Sequence, residues 1–258
     1  MRQRFSLARF LASTSLVAAV AMGLGGCSAM PKLSDVTGSV GPRAEAAPTD
    51  PARAVEVYGE RYRANPRDAD AALGYGQALR ANGQRAQAAA VLEQATIANP
   101  GNRALLAQYG RALADNGNFQ QAFDVLTRAH TPEDPDWRIL SAQGAALDQL
   151  GRNEEAQQYY AAALKIAPDE PQILSNLGLS YMLQNNLPRA EETMRRAHER
   201  NPADARVRAN LALVLGLEGK QAEAETIVKA DLPPDQAAAK VTALRQLLAK
   251  KQQQRADK

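Results

Sequence analysis

A chain of 258 residues with a formal charge of +3, one cysteine and two histidines has room for one sizeable domain or a repeat array. A single cysteine excludes an intramolecular disulfide, and His130 and His198, far apart in the chain, offer neither paired metal ligands nor a triad. The positive excess does not mark a nucleic-acid binder either, because Arg2, Arg4 and Arg9 supply all of it within residues 1–26, which hold no acid.

The chain opens with the basic stretch MRQRFSLAR and continues without a charge from Phe10 to Gly26. Basic start, apolar run and small residues at the end predict a signal peptide over 1–26. The uncharged run is diluted by Ala, Gly, Ser and Thr and is marginal for a bilayer core of ~30 Å, so a permanent membrane helix is the weaker reading. Leu24, Gly25 and Gly26 lead directly into Cys27 and resemble the bacterial lipobox. That resemblance implies diacylation of the Cys27 thiol and cleavage before it; the alternative is a cysteine that merely follows the signal, left as an exposed free thiol after export. Ser28 follows Cys27 where an Asp would signal retention, which by similarity to Gram-negative lipoproteins implies sorting to the outer membrane, facing the periplasm.

Residues 27–49 are rich in small residues and proline and lack apolar periodicity, predicting a flexible tether with a reach on the order of 25 Å. From Asp50 onward, Ala, Leu, Gln, Glu and Arg dominate at a helical period, predicting an all-α body. Prolines in turns at Pro66, Pro100, Pro168 and Pro202 share a 34-residue period, with Asp134 and Pro135 at the missing midpoint. On that period Gly76, Gly110, Gly144, Gly178 and Ala212 form one small-residue column; Ala88, Ala122, Ala156, Ala190 and Ala224 form another. Small residues at both places let paired antiparallel helices approach closely. Leu79, Leu113, Leu147, Tyr181 and Leu215 fill the space around that contact, and Gly83, Gly117, Gly151, Asn185 and Gly219 mark the intervening turn.

These columns are similar to the tetratricopeptide repeat, a 34-residue helix-turn-helix unit; residues 149–171 and 176–202 are the nearest copies of its pattern. The resemblance implies a right-handed superhelix of antiparallel helix pairs. An N-terminal half repeat is expected over 50–68, five repeats over 69–234 (starting at Ala69, Arg103, Trp137, Pro171 and Ala205), and a capping helix with a basic tail over 235–258. The family's tryptophan place holds Ala72, Leu106, Leu140, Leu174 and Arg208 instead, a departure from its pattern.

In such a solenoid the first helices line a concave face. Its expected positions are short or polar early (Asp70, Gln77, Arg80, Gln108, Arg111, Asp115, Arg138, Asp148) and more apolar later. Asn176, Leu179, Met182, Leu183, Arg206, Asn210, Leu213 and Leu217 are the candidate peptide-binding residues, an apolar groove with a few amide and guanidinium donors. Two readings stand for the leucines: a groove for a partner helix or extended peptide, or a seat for the chain's own C-terminal helix. Ser141 and Ala145 stand where carboxylate-clamp members carry their first Lys and Asn, and Ala104, Arg138 and Arg206 do not complete that set, so a chaperone-tail adaptor is rejected. Both histidines are expected on second helices near repeat ends. The acidic turn from His130 to Asp136 reads as a solvated repeat junction, and the tail KKQQQRADK as a soluble end.

In layout, with lipobox, tether, repeats and helical tail, the chain resembles the TadD-type tetratricopeptide lipoproteins of tight-adherence (Tad, Flp-type) pilus systems. That resemblance implies a pilotin-like protein-binding role toward a secretin or another pilus component, with the lipid on Cys27 as the sole attached group, no cofactor or metal, no catalysis, no nucleic acid and no small-molecule substrate. The alternative is an outer-membrane scaffold docking peptidoglycan enzymes or the barrel-assembly machinery.

Overall fold

The computed structural model describes residues 50–230 and 232–256; the expected signal peptide, Cys27 and the tether lie outside the described residues. Within these bounds the chain is all-helical: α1 (Pro51–Ala64), α2 (Ala69–Ala81), α3 (Arg85–Ala98), α4 (Arg103–Asp115), α5 (Phe119–Thr127), α6 (Trp137–Gln149), α7 (Asn153–Ile166), α8 (Pro171–Leu183), α9 (Leu187–Arg200), α10 (Ala205–Leu217), α11 (Gln221–Lys229) and α12 (Pro234–Ala256). Each helix packs on the next in sequence, and α2, α4, α6, α8, α10 and α12 also pack on one another in order. Contacts confined to neighbouring units are the organisation of a solenoid.

The local signals for these elements recur at the repeat period. Asp68, Asn102, Asp136, Glu170 and Asp204 are the N-caps of α2, α4, α6, α8 and α10, each accepting a hydrogen bond through its side chain from a backbone N–H of the first turn. The Asp204 carboxylate, for example, accepts from the Arg206 N–H at 2.8 Å and the Val207 N–H at 3.2 Å. Such caps contribute about 1 kcal/mol each. Within each pair the chain reverses through a left-handed residue: Gly83, Gly117, Gly151, Asn185 and Gly219, with Asn185 at φ 60°. Asparagine tolerates that conformation best among residues with a Cβ, which accounts for its place in a column of glycines.

The first small-residue column is where the paired helices meet. A Cβ added to Gly76, Gly110, Gly144 or Gly178 would lie 2.6 to 2.7 Å from the side chain of Leu92, Leu126, Tyr160 or Met194, the residue sixteen positions on. The second helix thus projects a large side chain into the hollow each glycine leaves, and all four of those side chains are buried. The alanine column at Ala88, Ala122, Ala156, Ala190 and Ala224 is fully enclosed.

Two places depart from regularity. After Thr127 the chain leaves α5 early and makes a tight turn closed by a bridge between Thr131 and Asp134. Pro132 and Pro135 cannot donate to a continuing helix, so His130 lies past the helix end and not on it, as the repeat register had suggested; His198 does lie in α9. Gln143, almost fully buried, ties the turn to α6: its amide donates to Thr127 Oγ1 at 3.0 Å, and its Oε1 lies 3.1 Å from His130 Nε2. At the other end, α12 stacks on α10 and α11 as α4 stacks on α2 and α3. Leu248 of α12 sits over Gly216 and leaves no room there for a Cβ.

Candidate functional site

The first helices of all five pairs converge on one hollow. A cavity of about 370 Å³ is lined by Arg80 from α2, Arg111 from α4, Trp137 and Arg138 from α6, Gln172 and Asn176 from α8 and Arg206 from α10. Small side chains on α6 (Ser141, Ala142 and Ala145) form its floor and leave the space open. The superhelical curvature therefore brings together residues that lie as far as Arg80 and Arg206 apart in sequence.

The cavity is polar and positive. Four guanidinium groups line it and, among the described residues, no carboxylate does. Arg80 is compensated from outside the lining, its Nε 2.6 Å from Asp115 Oδ2 and its Nη1 donating to Gln108 Oε1 at 3.0 Å. Arg138 stacks over the Trp137 ring at 4.6 Å and is only loosely paired with Asp136, at 3.9 Å. Arg111 and Arg206 make no ion pair among the described residues. Burial and then the charge of Arg80 pull the Arg111 guanidinium below its ordinary range, with Asp136 opposing and Arg138 adding to the effect.

The candidate peptide-binding residues separate into two groups. Asn176 and Arg206 belong to the polar cavity. Asn176 Nδ2 donates to Ser141 Oγ at 3.1 Å, and one repeat on, Asn210 Nδ2 donates to Ser175 Oγ at 3.0 Å. These amides stitch successive first helices together. Leu179, Met182, Leu213 and Leu217 are half-buried against an apolar cluster that includes Leu211, Val214 and Leu215 together with Leu244 and Leu248 of α12. Leu183 remains 50% exposed at the end of α8. Asp148, expected on the concave face, is instead buried between α6, α7 and α8. It accepts hydrogen bonds from Ser180 Oγ at 2.7 Å, Asn153 Nδ2 at 2.7 Å and Tyr160 Oη at 2.9 Å. That arrangement satisfies the carboxylate inside the stack, which a position-by-position reading of the first helix does not anticipate.

Arg208, at the tryptophan place of the last pair, is buried too and donates to the Pro202 carbonyl at 2.8 Å, so its break from the apolar column is absorbed by a backbone acceptor. Among the described residues no group of three or more His, Cys, Asp and Glu is placed to hold a metal ion, and no helix is long and apolar enough to cross a membrane.

The tetratricopeptide-repeat family profile matches residues 46–108, 79–144 and 147–213, and a second tetratricopeptide-repeat profile matches 205–229. The chain belongs to the tetratricopeptide-repeat family. Among solved structures, TTC0263, a thermophilic tetratricopeptide protein of Thermus thermophilus, is 21% identical over 64% of this chain and 90% of its own, with a TM-score of 0.57. Human IFIT1, in a dimer with m7Gppp-AAAA, is 16% identical over 72% of this chain and 48% of its own, at 0.61. Cut9 in the APC/C Cut9–Hcn1 hetero-tetramer is 15% identical over 76% and 37%, at 0.59. A comparison with curated proteins returned no significant match. These likenesses establish the fold. Tetratricopeptide arrays are protein–protein interaction scaffolds, typically without catalytic activity, and the class defined here is a protein-binding helical solenoid.

Proposed function

We propose that this protein is an outer-membrane lipoprotein, anchored through lipid on Cys27 and facing the periplasm, whose solenoid binds a secretin segment as a pilotin-like factor of a Tad/Flp pilus or secretion system. The observation that carries the reading is the pairing of a lipobox-like Leu-Gly-Gly-Cys at residues 24–27 with a tetratricopeptide array whose five first helices enclose one concave face. The lipid holds the array near the membrane in which secretins assemble, and the tether between them gives it reach. Exposed Leu183 offers an apolar contact, and the arginines and amides of the cavity offer donors to an extended backbone.

The test combines Leu183→Asp with Arg206→Glu in the native organism. Loss of secretin co-purification and of pilus assembly, with the protein still folded and lipid-labelled at Cys27, is the expected result. Unchanged co-purification and assembly would overturn it.

A further inference from the structure

From the charge gathered at the last helix, we infer that the C-terminal end of the array is a second membrane contact. α12 and the residues after it dock on the anionic headgroups of a phospholipid surface and stand the solenoid end-on upon it. The contact is separate from the lipid proposed at Cys27 and does not depend on it.

The register of α12 supplies the first argument. Leu248 lies over Gly216 of α10, and the same offset of 32 residues joins Ser180 of α8 to Asp148 of α6. α12 therefore stands as a sixth first helix, and among the described residues no second helix covers it. Thr242, Arg245, Gln246 and Ala249 fall one repeat after Arg208, Leu211, Ala212 and Leu215, which are all buried. On α12 the four positions are exposed. The end face is thus polar and solvated, and no aromatic residue occurs anywhere in α12, so it lacks the anchors around which a protein interface is built.

Charge supplies the second. Residues 234–258 hold six Lys and Arg against two Asp, whereas residues 27–233 hold 22 Lys and Arg against 26 Asp and Glu. An anionic plane attracts one end of such a molecule and repels the rest, which sets an orientation as well as an affinity. The buried side chains of α12 run from Ala237 to Leu248, and Ala249, Lys250 and Gln253 beyond them are exposed. Arg245 is held by Glu225 at 2.6 Å, but Lys240 and Lys250 make no ion pair among the described residues. Lys251, Arg255 and Lys258 add three further charges to the end of the sequence. A nucleic-acid strand longer than α12, about 35 Å, would run on against the acidic body, whereas a membrane meets the end alone.

The probe is a pair of vesicle preparations, one of phosphatidylglycerol and phosphatidylcholine in equal parts and one of phosphatidylcholine alone, sedimented with the lipid-free chain from residue 28. The chain is expected to sediment with the anionic vesicles only and to be released by raised salt. Lys250→Gln, Lys251→Gln and Arg255→Gln together should weaken partitioning on the order of a hundredfold, at roughly fivefold per charge. Arg53→Gln, Arg67→Gln and Arg128→Gln together remove the same charge from exposed sites on the body and should not weaken it; circular dichroism checks the fold of both variants. Absence of sedimentation with the anionic vesicles, equal loss in the two triple variants, equal binding to the neutral vesicles, or preference for a single-stranded oligonucleotide over the vesicles would each overturn the inference. None of these results bears on lipid labelling at Cys27 or on secretin co-purification, which test the proposed function separately.

Discussion

Tyr160 closes over Gly144: a Cβ added to the glycine would lie 2.7 Å from the ring and 3.1 Å from the Ala156 carbonyl. The neighbour on one side is a ring whose hydroxyl is tied to Asp148, and on the other it is backbone, so neither can give way cheaply. Gly144→Ala should cost about 1 to 3 kcal/mol through overpacking. Gly117→Ala should cost about 1 kcal/mol for a different reason, since an added Cβ there meets nothing within 4 Å and only the left-handed backbone is strained. Urea unfolding of the two variants checks the contrast.

Asp148 is the polar centre of the same contact. Asp148→Ala strands the donors of Ser180, Tyr160 and Asn153 and should destabilise the fold by about 3 kcal/mol. Burial raises the Asp148 carboxyl above its ordinary 3.8, with the three hydrogen bonds opposing. A raised folded value means the native state holds the proton more tightly than the unfolded chain, so this group costs stability as pH rises from 3.8 through its folded value. The advantage of wild type over Asp148→Asn should therefore shrink across that window, as read by unfolding midpoints at successive pH values.

Glu191 has the opposite sign. Burial works against its ionised form, but hydrogen bonds from Lys220, Glu218 and Arg195 prevail and bring it down to about 2. Its contribution is fully present above the unfolded value of 4.5 and is lost as pH falls toward about 2. Glu191→Gln should lower the unfolding midpoint at pH 7, and its difference from wild type should narrow below pH 4.5.

Removing α12 uncovers Leu211, Leu215 and Gly216 at the end of the array. In a nearest-neighbour solenoid the damage should stay local. Hydrogen exchange of a chain ending at residue 233 should show faster exchange in α10 and α11, with α2 to α7 protected as before.

The all-helical solenoid was legible because each repeat states the same constraints again. Gly76, Gly110, Gly144 and Gly178 recur where a large partner side chain must fit, and Gly83, Gly117, Gly151, Asn185 and Gly219 recur where φ must be positive. The N-cap column from Asp68 to Asp204 carries the same period and is open to the same reading, although the prolines beside it are the more conspicuous marker. The sequence register places Arg80, Arg111, Arg138 and Arg206 on the concave face, but their meeting at one hollow was not legible. Arg80, Arg111, Arg138 and Arg206 come from four different repeats, and only superhelical curvature brings them to one hollow. Nor did the first-helix register reveal that Asp148 turns inward, because that depends on Ser180 and Tyr160 from two other helices.

The most direct test of the account places a photoreactive residue at Leu183, exposed at the end of α8, and identifies by mass spectrometry what it captures in the native envelope. The account predicts a secretin adduct that is lost with Arg206→Glu. Capture of a cell-wall hydrolase or a barrel-assembly component in its place, or no protein adduct at all, would contradict it.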